Sequence, residues 1–262
     1  MKCLVPLLLI SSLSGHDLYL MPQKFHVVKG ETILLSVHTG DSFPTSEQAV
    51  DPGRLRSETP RAWRMMNRAT HAVAPVEKEG GLYFSVSTDP LRIEMEPKKF
   101  EDYLKEEGLV DVLNLRGRLA ESQKMGREMY SKYAKTYVVS GKADGQFSKV
   151  LGLRIEIVPL KEPSSLKAGE RLPVEVLFNG KTLAGAQVEV AISERPGAKA
   201  DVRVAGKTDQ HGRLEVPIAS KGRVRLHALW MERSTGTDQD WESYWASLTF
   251  EVSEQSTTLS SR

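Results

Sequence analysis

ERLPVEVLFNGKTLAGAQVEVAI, residues 170–192, is the stretch whose reading decides the fold. Leu172, Val174 and Val176 alternate with charged or small neighbours, and Val188 and Val190 do the same further on, a period of two that belongs to strands. Between the two runs stands Asn179-Gly180, a strong hairpin signal because both residue types tolerate the positive φ of a tight β-turn. KTDQHGRLEVPI, KGRVRLHALWM and WASLTFEV add further strands, so residues 161–253 are expected to form an immunoglobulin- or transthyretin-like β-sandwich. A polar tail, 254–262, follows.

Working outward toward the N-terminus, KFHVV, TILLSVH and GLYFSVST keep the same alternation, with Gly, Pro and Asp between them. They predict a second β-rich domain over 16–160, separated from the first by the Pro-, Ser- and Gly-bearing joint LGLRIEIVPLKEPSSLKAG. The period changes in EPKKFEDYLKEEGLVDVLNL, where Phe100, Tyr103, Leu104 and Val112 share a helical face, Pro97 suits a helix start and Gly108 a break. ESQKMGREMYSKYAK, with Met125, Met129 and Tyr133 four apart, reads as a second helix. The expected architecture is mainly β: two β-sandwich domains, the first with a helical insertion at about 97–137.

Residues 1–15 read as a secretory signal peptide, with Lys2 ahead of the apolar run Leu4 to Ile10 and small residues at Ser12, Ser14 and Gly15. Cleavage after Ser14 or Gly15 places His16 second or first in a periplasmic or secreted chain. The only cysteine, Cys3, lies in the discarded segment, so disulfides and thiolate metal ligands are excluded from the mature protein. With 36 basic against 34 acidic residues there is no electrostatic footprint for nucleic acid. No later run is apolar enough to span a membrane. Phosphate loops, HExxH and G-x-S-x-G are all absent, leaving an enzyme no visible motif.

The chemistry-bearing feature is therefore His16. A terminal amine and the imidazole of the same residue close a chelate on one ion, and a second histidine would complete a nitrogen set suited to copper or nickel. His38, on the less apolar face of TILLSVH, and His227, in RVRLHALWM, are the expected partners; each also fits a half-buried strand histidine bonded to a backbone carbonyl. His26 and His71 have weaker cases, and His211 has a sufficient role in the turn DQHG. Asp17 is placed to accept a hydrogen bond from a ligand ring. In DWESYWAS, Trp241, Tyr244 and Trp245 would either rim the site or pin a loop to the core. Ser131 and Lys135 of MYSKYAK stand one helical turn apart, but lysines on an exposed helix keep an ordinary pKa, so no base-and-nucleophile pair is expected.

HDLYLMP at the mature start, VKGETILLSVHTGDSF, KKFEDYLKEEGL, MYSKYAK, LGLRIEIVPL and DWESYWASLTFE together resemble a family of exported bacterial proteins of unknown function, often labelled nickel or cobalt transport periplasmic components of NikM type. The similarity spans nearly the whole mature chain, with Tyr19 where Trp or Phe is more usual. It implies a non-enzymatic periplasmic protein that binds nickel, cobalt or copper and works with a membrane metal transporter. Two other expectations stand beside it: a β-sandwich binding or adhesion module without a metal, and a copper-dependent oxidative enzyme that begins at a mature histidine.

Overall fold

The computed structural model describes residues 16–195 and 197–253; the signal peptide and the polar tail expected at the two ends lie outside them. Strands β1 (Leu18–Pro22), β2 (His26–Val27), β3 (Thr32–Thr39), β4 (Leu55–Arg56), β5 (Arg64–Met66), β6 (Ala69–Pro75), β7 (Gly80–Thr88) and β8 (Leu91–Met95) precede helices α1 (Pro97–Glu106) and α2 (Val110–Arg118). Then come β9 (Gly126–Ser140), β10 (Ile155–Pro159), β11 (Arg171–Phe178), β12 (Lys181–Thr182), β13 (Gln187–Ser193), β14 (Asp201–Lys207), β15 (Arg213–Pro217), β16 (Gly222–Arg233) and β17 (Trp241–Val252).

The protein is mainly β and built in β-sandwich-like layers. A central sheet runs in the order β14-β13-β16-β17-β9-β7-β4, with β2 and β8 also paired to β9. The sheet β1-β3-β6-β5 packs on it through Leu20, Leu35 and Val37 against Phe84, Ala134 and Val138. A third sheet, β10, β11, β12 and β15, packs through Val174, Val176 and Val216 against Val190, Leu226 and Leu248. Each Val, Leu or Phe among them, on full burial, contributes about 1.5–3 kcal/mol.

The halves on either side of residue 160 are joined edge to edge: β17 runs parallel to β9, with Trp241 opposite Glu128 and Thr249 opposite Thr136. The third sheet also reaches across that joint, because β10 pairs with β11. The Asn179-Gly180 turn is present with both φ values positive, at 51° and 72°. Its returning strand is only Lys181–Thr182, and the run at Gln187–Ser193 crosses to the central sheet to pair with β14 and β16.

Helix α1 forms as its spacing predicts, opening on Pro97 and burying Phe100, Tyr103 and Leu104. Gly108, at φ 68°, breaks it before α2. The second helix expected over 121–135 is corrected: from Gly126 onward this segment is β9, the strand at the heart of the central sheet. A four-residue spacing is common to both geometries, since i and i+4 share a face of a strand as well as of a helix. The β-branched run Thr136, Val138 and Val139 and the close approach of Gly126 to the Phe100 ring decide for the strand.

Candidate functional site

Strand β1 is laid on the central sheet by its neighbours' side chains: Ser247 Oγ donates to the Leu18 carbonyl at 2.7 Å and Thr249 Oγ1 to that of Leu20. That contact holds His16 and Asp17, just before β1, over β9 and β16. Asp17 is buried and meets Arg225, while its Oδ1 stands 2.9 Å from His227 Nδ1. The other ring nitrogen of His227, Nε2, stands 3.3 Å from Glu107 Oε2, just past α1. Burial works against a charge on His227, yet Asp17 and Glu107 outweigh it and push the imidazole up to about 10. Burial likewise favours neutral Asp17, but Arg225 and His227 hold its carboxyl well below the usual carboxylate range.

Beside this cluster β9 turns Glu128 and Lys132 inward. Glu128, 1% exposed, accepts hydrogen bonds from Tyr103 at 3.2 Å and from Ser243, which leaves its Oε2 without a partner. Burial pushes this carboxyl up to about 7. Lys132 donates to the His16 carbonyl and lies 4.7 Å above the Trp245 ring. Burial pulls its amine down to about 8 against the attraction of Asp17, Glu128 and Glu107. Trp245 closes the group, stacked on Tyr103 at 5.9 Å and 5.4 Å from His227.

Two clefts, which share Met95, open beside this buried cluster. One, of about 520 Å³, is lined by His16, Arg54, Met95, Glu128, Lys132 and Trp245 among others. The other, of about 710 Å³, carries the carboxylates of Asp17, Asp41, Glu96, Glu106, Glu107 and Glu189.

The expected ligand histidines are not brought together. His16 Nδ1 stands 3.2 Å from Asp41 Oδ2 and 3.8 Å from Glu47 Oε2. It is Asp17, on the alternate side of the extended chain, that reaches His227. His227, with a carboxylate at each nitrogen and its charge retained, has no lone pair to offer an ion. His38 lies opposite Tyr19 in the β1–β3 register and bonds the Pro44 carbonyl through Nδ1 at 3.1 Å. Burial draws its ring down to about 4, so it is neutral at physiological pH.

The aromatic rim is divided for the same reason. Trp241 and Trp245 pack with α1 and α2, whereas Tyr244 points to the other face of β17, against Phe178 and Arg154, with its hydroxyl on Glu242. The lysines of MYSKYAK are corrected too: both are buried, and Lys135 pairs with Glu156 at 2.7 Å. Glu107, Glu128, Lys132, Arg225 and Ser243 escape a search for histidines. The signal for Glu128 and Lys132 was the alternation Glu128, Tyr130, Lys132, Ala134, Thr136, Val138, which puts two charges on an otherwise inward face.

Fold and site thus define a layered β-sandwich protein whose first strand covers a buried cluster of charges lined by two clefts. The chain belongs to the family described as Domain of unknown function (DUF4198), whose model matches residues 13–232. No curated protein matches it. Among solved structures it is similar to the D0-D1 domain of intimin, at 11% identity over 89% of this chain and 97% of that one, with a TM-score of 0.20. It is also similar to FdeC, an Escherichia coli adhesin, at 13% identity over 93% of this chain and 66% of that one, with a TM-score of 0.23.

Proposed function

We propose that the processed protein is an exported, non-enzymatic binder of a divalent transition-metal ion, nickel, cobalt or copper, held at a new N-terminus by His16. The observation that carries the reading is the His16 ring facing Asp41 and Glu47 at 3.2 and 3.8 Å. Two ligands at about 2.0–2.2 Å from one ion stand about 3 Å apart at a right angle, so this spacing suits a shared ion as well as an ion pair. Among the described residues no group of three or more His, Cys, Asp or Glu is arranged to hold a metal ion. The donor this reading adds is the amine freed by processing, which chelates together with its own ring. Two nitrogens with carboxylate oxygens make a set for borderline ions. The cleft alongside carries seven carboxylates against Lys98, Lys99 and Arg225, a balance that favours cations near it.

Asp41 and Glu47 thereby take the place given to His38 and His227 in the sequence-based set. Asp17 supports the site through the backbone, by fixing the strand that follows. The label of periplasmic nickel or cobalt transport component agrees with this role, in which the ion would pass to a membrane transporter. No helix of the described residues is long and apolar enough to cross a membrane.

Calorimetric titration of tag-free protein beginning at His16 with nickel, cobalt and copper salts tests the reading. One ion is expected to bind. Asp41→Asn and Glu47→Gln are each expected to weaken it about tenfold or more, and acetylation of the terminal amine to remove the amine–ring chelate. Undiminished binding by His16→Ala would overturn it.

A further inference from the structure

The cleft of about 520 Å³ has a second chemistry that a metal at His16 does not use. Its size falls in the range of small-molecule sites, about 300–1,000 Å³. Its apolar walls include Ile93, Met95 and Trp245, a surface for the body of a ligand rather than for an ion. Glu128 forms part of the inner wall, 1% exposed, with Oε2 unpartnered, and a buried carboxyl oxygen left without a hydrogen bond costs about 1–3 kcal/mol. A ligand that brings a donor to that oxygen recovers the loss.

Two cations line the same space. Lys132 gives one of its three N–H donors to the His16 carbonyl, and Arg54 donates to the Asp89 carbonyl at 3.3 Å, so both keep donors in reserve. A carboxyl oxygen without a hydrogen bond and two cations in one partly apolar cleft are complementary to a molecule with a charge of each sign.

We propose that this cleft binds a small aminocarboxylate with an apolar body, its ammonium on Glu128 Oε2, its carboxylate on Lys132 and Arg54, and its side chain on Ile93, Met95 and Trp245. Glu128 and Lys132 lie on the same face of β9, with Tyr130 between them, and all three line the cleft. The ligand needs no metal, and the inference stands apart from the metal reading.

The test is calorimetric titration of the tag-free, processed protein with L-leucine and L-phenylalanine, in the presence of a strong chelator so that no ion bridges ligand to His16. Saturable binding of at least one of them at millimolar concentration or below is expected. 4-Methylpentanoate, which lacks the ammonium, and 3-methylbutylamine, which lacks the carboxylate, are expected to bind about tenfold or more weakly than leucine. Glu128→Gln should erase the advantage of leucine over 4-methylpentanoate. Half-buried Arg54, changed to Gln, should shrink its advantage over the amine and gives a second variant should the core change disturb folding. Absence of saturable binding by both amino acids overturns the proposal, as does a 4-methylpentanoate affinity equal to that of leucine. Metal binding measured without the chelator is a separate readout, so either reading can fail alone.

Discussion

Asp17 Oδ1 and His227 Nδ1 stand 2.9 Å apart in the interior, so the chain just before β1 is tied by charge to the central sheet. Removing one member of a buried pair leaves the other uncompensated, at about 3–5 kcal/mol. Asp17→Asn is therefore expected to lower stability by that order in urea denaturation and to bring the His227 pKa down from about 10. An unchanged midpoint would show that Arg225 and Glu107 suffice without it.

The same pair sets a pH window. Asp17 is depressed in the folded state, so its contribution is present above the ordinary carboxylate value and lost as pH falls through the folded one. His227 is raised, so its contribution is complete below about 6.5 and lost as pH climbs through about 10. Together they stabilise most between about pH 4 and 6.5, and denaturation midpoints of parent and Asp17→Asn should differ most there.

Glu128 acts in the opposite sense. Its carboxyl is held at about 7 in the fold against 4.5 ordinarily, so the folded chain keeps a proton that the unfolded chain has released, and stability falls as pH rises through that interval. Glu128→Gln is expected to be nearly neutral at about pH 5 and stabilising by on the order of 2–3 kcal/mol at about pH 8. Equal effects at both pH values would contradict the assignment.

The buried pair Lys135 and Glu156 is asymmetric. Glu156 also accepts backbone N–H groups of Leu151, Gly152 and Leu153, whereas the ammonium of Lys135 has Glu156 as its ionic partner. Glu156→Gln, which strands a charge, is expected to cost about 3–5 kcal/mol, and Lys135→Met less. The Glu156→Gln deficit should shrink toward alkaline pH, because burial already lowers the Lys135 pKa. A larger loss from Lys135→Met in the same urea titration would reverse the asymmetry.

Gly126 opens β9 under α1. A Cβ there would stand 2.2 Å from Cγ of Phe100, whose ring is fully buried. Gly126→Ala is expected to cost about 1–3 kcal/mol by overpacking and to lower the thermal midpoint, whereas Gly117→Ala, where a Cβ meets nothing within 4 Å, should not destabilise.

What the sequence determined by itself was local. Alternation specified the strands, Pro97 and Gly108 bounded α1, Asn179-Gly180 specified a turn, and the export-like N-terminus drew attention to His16. Each of these is set within a few residues by φ preference or by the side-chain period. Which residues meet was not local. The run Met125, Met129, Tyr133 fits helix and strand equally until β9 is seen between β7 and β17. Lys132 and Lys135 read as solvated for the same reason, and became buried once sheets covered both faces of that strand. Alternation says that Asp17 and His16 face opposite ways, but only the seating of β1 across the central sheet gives Asp17 to His227 and His16 to Asp41 and Glu47. A side chain's direction is a property of its own backbone; its partner is a property of the sheet order.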